Sequence, residues 1–165
     1  MQKQVLVTPL LDEVTAAFMQ RRVSINVASA NADREPALSR AYGCHVSDDR
    51  TQVTLFLYQQ TAAQVLQCIA YTRSIAVVFS RPSTHETLQL KGSDATLIEV
   101  ADSDRASVDL YRASFVEELL QIGYSREFAA AMMEPYADQL VGVRFRPDAA
   151  FIATPGPRAG QSLTP

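Results

Sequence analysis

The sequence of 165 residues contains few of the residues that cross-link a small protein or bind a metal, with two cysteines and two histidines. Cys44 and Cys68 lie too far apart for a CxxC redox pair and do not form a zinc framework. Cys44 is followed by His45, but no further metal-binding side chains cluster nearby, so we expect no metal site there. A half-buried thiol beside a surface imidazole is the expectation. A chain of this length buries roughly 70% of its unfolded surface and needs no disulfide or metal to fold.

The sequence also lacks an excess of basic charge and a long apolar run. Its 15 basic and 18 acidic residues give a net charge of −3, which argues against a general nucleic-acid partner. No apolar stretch approaches the roughly 18 residues of a membrane span, and the first twenty residues do not resemble a signal peptide. We therefore expect a cytoplasmic protein without a membrane partner. The length suits a single domain over residues 1–165, with an irregular tail from about residue 155 onwards.

Hydrophobic periodicity predicts helices and strands over most of the first half. Thr8 and Pro9 are typical of a helix start, and an apolar stripe from Leu10 to Met19 follows at helical spacing. Alternation predicts a hairpin of two strands, then a third strand after a polar turn. These three strands span Val23–Ser29, Glu35–Tyr42 and Thr51–Tyr58. Thr61 is a candidate cap for the helix that carries Val65, Leu66 and Ile69.

The second half begins with strands and then becomes helical. Ser74–Ser80 is nearly all apolar, which predicts a central strand buried on both faces, and Thr87–Val100 reads as one long strand bent at Gly92. Two helices are predicted next, followed by two final strands. The helices run over Ser107–Ile122, stopped by Gly123, and from the Ser125 cap through Met133, stopped by Pro135; the strands are Leu140–Phe145 and Ala149–Ala153. Short antiparallel strands joined by tight turns favour a barrel or a sandwich.

Three segments in this order resemble the pyridoxamine 5′-phosphate oxidase-like FMN-binding split-barrel family. They are the hairpin Val23–Gly43, the strand–turn–strand Ala76–Gly92 and the ending Phe151–Gly160, and the match extends over roughly residues 8 to 160. The middle segment, which contains Arg81-Pro82-Ser83-Thr84-His85, is the most specific of the three. The resemblance implies an α+β fold: a six-stranded antiparallel split β-barrel with flanking helices. It also implies a homodimer that holds one FMN at each end of the subunit interface.

The resemblance also implies where a flavin would be held. Ser39 and Arg40 fall on the second hairpin strand, which faces the flavin in the family, and Arg81 precedes the strand that contacts the phosphate and the ring edge. That strand contributes Thr84, Thr87, Gln89 and Lys91. Thr87, Gln89 and Lys91 alternate with Leu88 and Leu90, so they share one face. That face is either a ligand wall or the solvated side of an exposed strand.

One departure from the family pattern concerns the phosphate. Relatives with oxidase activity carry a basic pair at the start of the helix after the third strand, where this chain reads Thr61-Ala62-Ala63-Gln64. The Thr61 hydroxyl and the positive end of the helix dipole remain to meet an anion. Losing two charge-assisted hydrogen bonds costs on the order of 2–6 kcal/mol unless Arg40, Arg81 or Lys91 compensates.

Two functions follow from these observations. The first is an FMN-binding, flavin-dependent oxidoreductase-like protein with an unknown small-molecule substrate. The second is a non-catalytic ligand-binding or regulatory module that has lost tight flavin binding. A haem-handling relative is a third idea, suggested by His45 and His85 alone, which we expect to be surface or turn residues. No nucleophile motif is present and no catalytic residue is assigned.

Overall fold

A computed structural model describes residues 9–134 and 139–163, which form an α+β fold of two antiparallel sheets and four helices. The helices are α1 (Glu13–Gln20), α2 (Ala63–Thr72), α3 (Asp102–Gln121) and α4 (Arg126–Met132). The strands are β1 (Ser24–Ala30), β2 (Pro36–Ala41), β3 (Cys44–Val46), β4 (Val53–Tyr58), β5 (Ile75–Ser80), β6 (Thr87–Gly92), β7 (Thr96–Ile98), β8 (Leu140–Phe145) and β9 (Ala149–Ile152). No helix in these two ranges is long and apolar enough to cross a bilayer.

The larger sheet has five strands in the order β2-β1-β5-β6-β9. The predicted opening hairpin is confirmed, because β1 pairs with β2 in the register Asn26↔Arg40. The strand β5 is central, as predicted, but its side chains alternate between buried and half-buried rather than being buried on both faces. The sheet therefore has one buried face and one open face.

The smaller sheet has four strands in the order β3-β4-β8-β7. Every residue of β4 is buried, as its dense apolar sequence requires. The predicted long strand Thr87–Val100 is wrong, because β6 ends at Gly92 and β7 pairs with β8 in the other sheet. At Gly92 the two sheets approach closely, since a Cβ placed there would lie 2.6 Å from Cδ2 of Phe145.

The starts of α1 and α3 differ from the prediction. The α1 N-cap is Asp12, whose carboxylate accepts from the Thr15 N–H at 2.7 Å, so the helix begins after the Pro9 predicted to open it. Helix α3 begins at Asp102, earlier than predicted, because Asp104 accepts from the Ala101 N–H at 2.9 Å. The Ser125 cap of α4 and the stop at Gly123, with φ of +94°, are confirmed. Thr8 and Pro135 lie outside the described residues.

The strand count also differs from the six-stranded barrel implied by the resemblance. The described residues form nine strands in two sheets, and no ladder among them closes the sheets into one ring. The strands β3 and β7 are not predicted, because each has three residues, which is too short for an alternating pattern to be recognised. One hydrophobic core, which includes β4 and the buried face of the larger sheet, joins the two sheets.

Candidate functional site

The open face of the larger sheet carries most of the predicted ligand residues. Its side chains come from alternate positions of all five strands, and each is at least partly exposed. They are Ser24, Asn26, Ala28, Ala30, Pro36, Leu38, Arg40, Ala76, Val78, Ser80, Thr87, Gln89, Lys91, Ala149 and Phe151. We call this set the open face.

One row of paired residues crosses the open face from edge to edge. The pairing Arg40↔Asn26↔Val78↔Gln89↔Phe151 follows from four consecutive ladders. Directly paired residues in antiparallel strands point to the same side, so Arg40 and Gln89 share a face. Three strand spacings separate their Cα atoms by about 14 Å.

The predicted alternation of β6 is confirmed. Thr87 and Gln89 are half-buried and Lys91 is exposed, whereas Leu88 and Leu90 are buried in the core. The Lys91 ammonium lies 5.3 Å from the centre of the Phe151 ring. The Thr87 hydroxyl is already engaged, because it lies 2.9 Å from Ser80 Oγ and donates to the His85 carbonyl at 3.0 Å.

Arg40 is turned from the open face toward α3. Its guanidinium lies 4.9 Å from the centre of the Phe115 ring, and its Nη2 lies 3.9 Å from the Met133 sulfur. Burial raises the pKa of nearby Tyr111, although the positive charge of Arg40 opposes this, so Tyr111 is a neutral donor to the Val23 carbonyl at 2.6 Å. The Arg40 Nε is buried without a hydrogen-bond partner among the described residues. This orphaned donor is the feature of Arg40 that suits an anion.

Ser39 and Thr61 meet on the other side of β2. The Ser39 hydroxyl donates to the Thr61 carbonyl at 3.3 Å, which ties β2 to the start of α2. Thr61 does not cap α2 as predicted. The cap is Ala62, and the Thr61 hydroxyl donates to the Tyr58 carbonyl at 3.3 Å because the chain makes one further turn before the helix. The α2 start thus has no side-chain cap.

A cavity of about 420 Å³ lies further along this side, between the β1–β2 turn and α2. Asp33, Glu35, Gln64 and Tyr71 are among its lining residues, and none of the described residues that line it is basic. Two carboxylates disfavour a phosphate, so an anion at the α2 start would lie nearer to Thr61 than to this cavity.

Arg81 and Thr84 belong to the tight turn between β5 and β6. The Arg81 guanidinium stacks 4.7 Å from the centre of the Phe18 ring and lies 3.9 Å from the Glu86 carboxylate. The Thr84 hydroxyl accepts from the Glu86 N–H at 3.3 Å. Both residues therefore shape the turn, and neither joins the Arg40–Gln89 row.

A buried carboxylate escaped the sequence analysis. Glu118 of α3 is 1% exposed, and it accepts from Arg22 Nε at 3.0 Å and from the Ser83 N–H at 2.9 Å. Burial alone would raise its pKa, but the hydrogen bonds from Ser83 and Arg22 outweigh burial and hold the pKa of Glu118 below its ordinary value. Its spacing from Tyr111 and Phe115 places it on the apolar stripe of the helix, which was the available signal.

The remaining chemistry-bearing residues take structural positions. His45 and His85 are both exposed, as predicted, and His85 occupies the left-handed region at φ 59° in the β5–β6 turn. Cys44 is buried and burial raises the pKa of its thiol, so it is not a thiolate at neutral pH. The eight candidate residues thus lie in three places: the open face, the α2 start and the β5–β6 turn.

No family model matches the sequence, and neither does any curated protein. Solved structures do match. HupZ of Group A Streptococcus is 13% identical, with a TM-score of 0.53, 91% of this chain covered and 99% of that chain. An F420 reductase is 14% identical, with a TM-score of 0.52 and coverage of 85% of this chain and 98% of that one.

A candidate pyridoxamine 5′-phosphate oxidase from Lactobacillus delbrueckii is 13% identical, with a TM-score of 0.50 and coverage of 91% and 99%. At this level of identity, likeness establishes the arrangement of helices and strands and carries no residue roles. The alignments nevertheless cover nearly the whole of each solved chain. The chain therefore has the fold of the pyridoxamine 5′-phosphate oxidase-like split-barrel proteins.

Proposed function

We propose that this chain is an FMN-binding, flavin-dependent oxidoreductase-like protein that acts as a homodimer on a small molecule. The observation that carries the proposal is the open face, on which Arg40, Gln89 and Lys91 are left at least partly exposed. The fold shared with an F420 reductase and a candidate pyridoxamine 5′-phosphate oxidase supports it.

The open face suits the two ends of a flavin differently. Asn26 and Gln89 offer amide donors and acceptors for the pyrimidine edge, and Val78 and Phe151 between and beside them offer apolar contact for the ring. When bound, the flavin would supply the electron transfer, and these residues would orient it and tune its environment.

In this proposal the phosphate lies at the outer edge of β2, which is the first strand of the larger sheet. Arg40, with its orphaned Nε, and the neighbouring Ser39 lie on opposite sides of β2, and Ser39 contacts Thr61 at the α2 start, so a phosphate at the strand edge would lie between them. The first-turn N–H groups of α2 add a partial positive charge. Because no cation lies within Thr61–Gln64, this end is the weaker part of the fit.

A dimer would explain why the candidate residues lie far apart within one subunit. Arg40 and Gln89 lie about 14 Å apart within one sheet, and Arg81 and Thr84 lie in a separate turn. Alanines and Leu38, which is 71% exposed, leave the centre of the open face apolar and flat. A second copy packed there would cover this apolar surface and bring further side chains to a ligand at its margin.

The direct test is a titration of the purified protein with FMN, followed by flavin fluorescence and by the absorption band at about 450 nm. We expect binding at or below tens of micromolar, with Gln89→Ala weakening it about tenfold through the lost hydrogen bonds to the ring. Gln67→Ala is the matched control, because Gln67 is an exposed residue of α2 that lines the cavity beside the β1–β2 turn and not the open face. Absence of binding at this concentration overturns the flavin assignment.

The second candidate is a ligand-binding or regulatory module that has lost tight flavin binding. The uncapped and uncharged start of α2 favours it, together with the contact of Arg40 with Phe115. Under this function the wild-type protein remains dimeric but binds FMN no better than the double variant Arg40→Gln, Gln89→Ala does. A wild-type affinity at least tenfold above that of the double variant contradicts it.

A further inference from the structure

A separate slot of about 260 Å³ lies at the opposite end of the larger sheet from β2. It is bounded by α1, the start of β6 and the segment that follows β9. Apolar walls come from Val14, Phe18, Ile152 and Leu163. Its volume is below the roughly 300–1,000 Å³ of sites for drug-sized ligands, so its occupant would be small.

The slot is preformed, because backbone hydrogen bonds fix its C-terminal wall. The Leu163 N–H donates to the Ala150 carbonyl at 2.8 Å, and the Gly160 N–H donates to the Ile152 carbonyl at 2.7 Å. On the α1 side, Val14 is 79% exposed while Phe18 is 8% exposed. One apolar wall is therefore open to solvent next to a buried aromatic ring, and a ligand with an apolar body would cover it.

The charged side chains that line the slot are Arg158 and Glu86. Within the described ranges the Arg158 side chain makes one hydrogen bond, a long one of 3.4 Å to Gln161, and has no carboxylate partner. Arg81 lies outside the lining, where it stacks on Phe18 and lies 3.9 Å from the Glu86 carboxylate. Arg81 thus offsets the charge of Glu86, and Arg158 is left as the slot's cation without a carboxylate partner among the described residues.

We propose that this slot binds a small carboxylic acid with an aromatic or branched aliphatic body. The carboxylate would pair with the guanidinium of Arg158, whose planar fork matches its two oxygens. The body would lie on Val14 and Phe18. An organic cation is disfavoured by Arg158, since the Glu86 carboxylate already lies beside Arg81, and a neutral apolar molecule would leave the Arg158 fork unused.

The slot uses neither Arg40 nor Gln89, the residues on which the test of flavin binding rests, although Thr87 is also one of the eight flavin candidates. Thr87 lines the slot, but its hydroxyl is already bonded to Ser80 and His85. Binding there is therefore expected whether or not FMN binds.

The test uses phenylacetate as the probe and phenylacetamide as its neutral match, each titrated into ¹⁵N-labelled full-length protein. We expect amide shifts that localise to α1 and the segment after β9 for phenylacetate, and binding at least tenfold weaker for phenylacetamide. Arg158→Gln is expected to weaken phenylacetate binding by about 10-fold to 100-fold. Arg126→Gln, an exposed arginine of α4 paired with Glu117, is the control that leaves binding unchanged.

Val14→Asp provides a second variant that does not touch Arg158. Because Val14 is exposed, the fold should persist, while the added carboxylate repels the probe and abolishes its binding. The proposal is overturned by any of three results: no shifts at about 10 mM probe, equal binding of the amide, or an unchanged affinity in Arg158→Gln.

Discussion

Glu118 carries a negative charge at a helix position where periodicity demands an apolar side chain. Its two oxygens accept from Arg22, in the link between α1 and β1, and from Ser83, in the β5–β6 turn. One carboxylate therefore ties α3 to two segments that are distant in sequence. A buried carboxylate held this way stabilises the fold only while it is ionised and both donors are in place.

Glu118→Gln is expected to lower the free energy of unfolding by about 1–3 kcal/mol at pH 7. The neutral amide has one acceptor oxygen and no charge, so it cannot replace the carboxylate in both hydrogen bonds. The pKa of Glu118 is lowered in the folded state, so its contribution is present above its unfolded value of 4.5 and is lost as pH falls through the folded value. The difference between wild type and variant should therefore shrink as the pH drops below about 4.5. Urea unfolding at a series of pH values measures it.

Glu117→Gln is the control for this prediction. Glu117 is the neighbouring residue, 57% exposed and paired with Arg126, so its loss should cost less than about 1 kcal/mol. An equal decrease in the free energy of unfolding in the two variants would contradict a stabilising role for the buried Glu118 carboxylate.

The position of a side chain can be predicted from the sequence when local backbone geometry determines it, and not when the packing of distant elements does. The shared face of Thr87, Gln89 and Lys91 follows from the period-2 geometry of any strand, and the sequence predicts it correctly. The turning of Arg40 toward Phe115 depends on how α3 packs against the sheet, and no local pattern in β2 contains that information.

Strand boundaries in this protein are decided by where the two sheets approach each other. Gly92 ends β6 against Phe145, and Gly142 lets β7 lie against β8. A Cβ at Gly142 would lie 2.6 Å from Cγ1 of Ile98 and 3.3 Å from its carbonyl oxygen. The bend at Gly92 is predictable from the sequence, but the transfer of β7 to the other sheet depends on this three-dimensional contact.

Gly142→Ala is expected to destabilise the protein by about 1–3 kcal/mol, because the steric clash exceeds the strand entropy gained by replacing glycine. The edge strand β7 should separate first and show faster amide exchange than β4. Ile98→Ala in the same chain removes the clashing side chain, and a double-mutant cycle should recover part of the loss. Additive losses would mean that Ile98 does not cause the effect.

At the scale of the whole molecule, every residue of the open face stays at least partly exposed within the part of the chain that the structure describes. The central row of this face, Leu38–Ala28–Ala76–Lys91, is mostly small and apolar, whereas the other face of the same sheet is buried in the core. The sequence predicts the hairpin from its alternation and the central strand from its nearly continuous apolar run, although the burial of that strand on both faces is wrong. It does not predict which face lacks a partner, because that depends on where α2 and α3 pack.

The proposed dimerisation through the open face can therefore be tested by a single charged substitution. Ala28→Arg places a guanidinium at its centre, beside Leu38 and Ala76, and should convert a dimer of twice 18.1 kDa into a monomer. Light scattering after size-exclusion chromatography measures the mass, and the same variant should bind FMN at least tenfold more weakly, since part of each site would be lost. Tyr124→Arg is the control, because Tyr124 stacks on Phe128 in a second exposed apolar patch, at the start of α4. If Tyr124→Arg dissociates the protein and Ala28→Arg does not, the interface lies at α4, and the open face needs another partner.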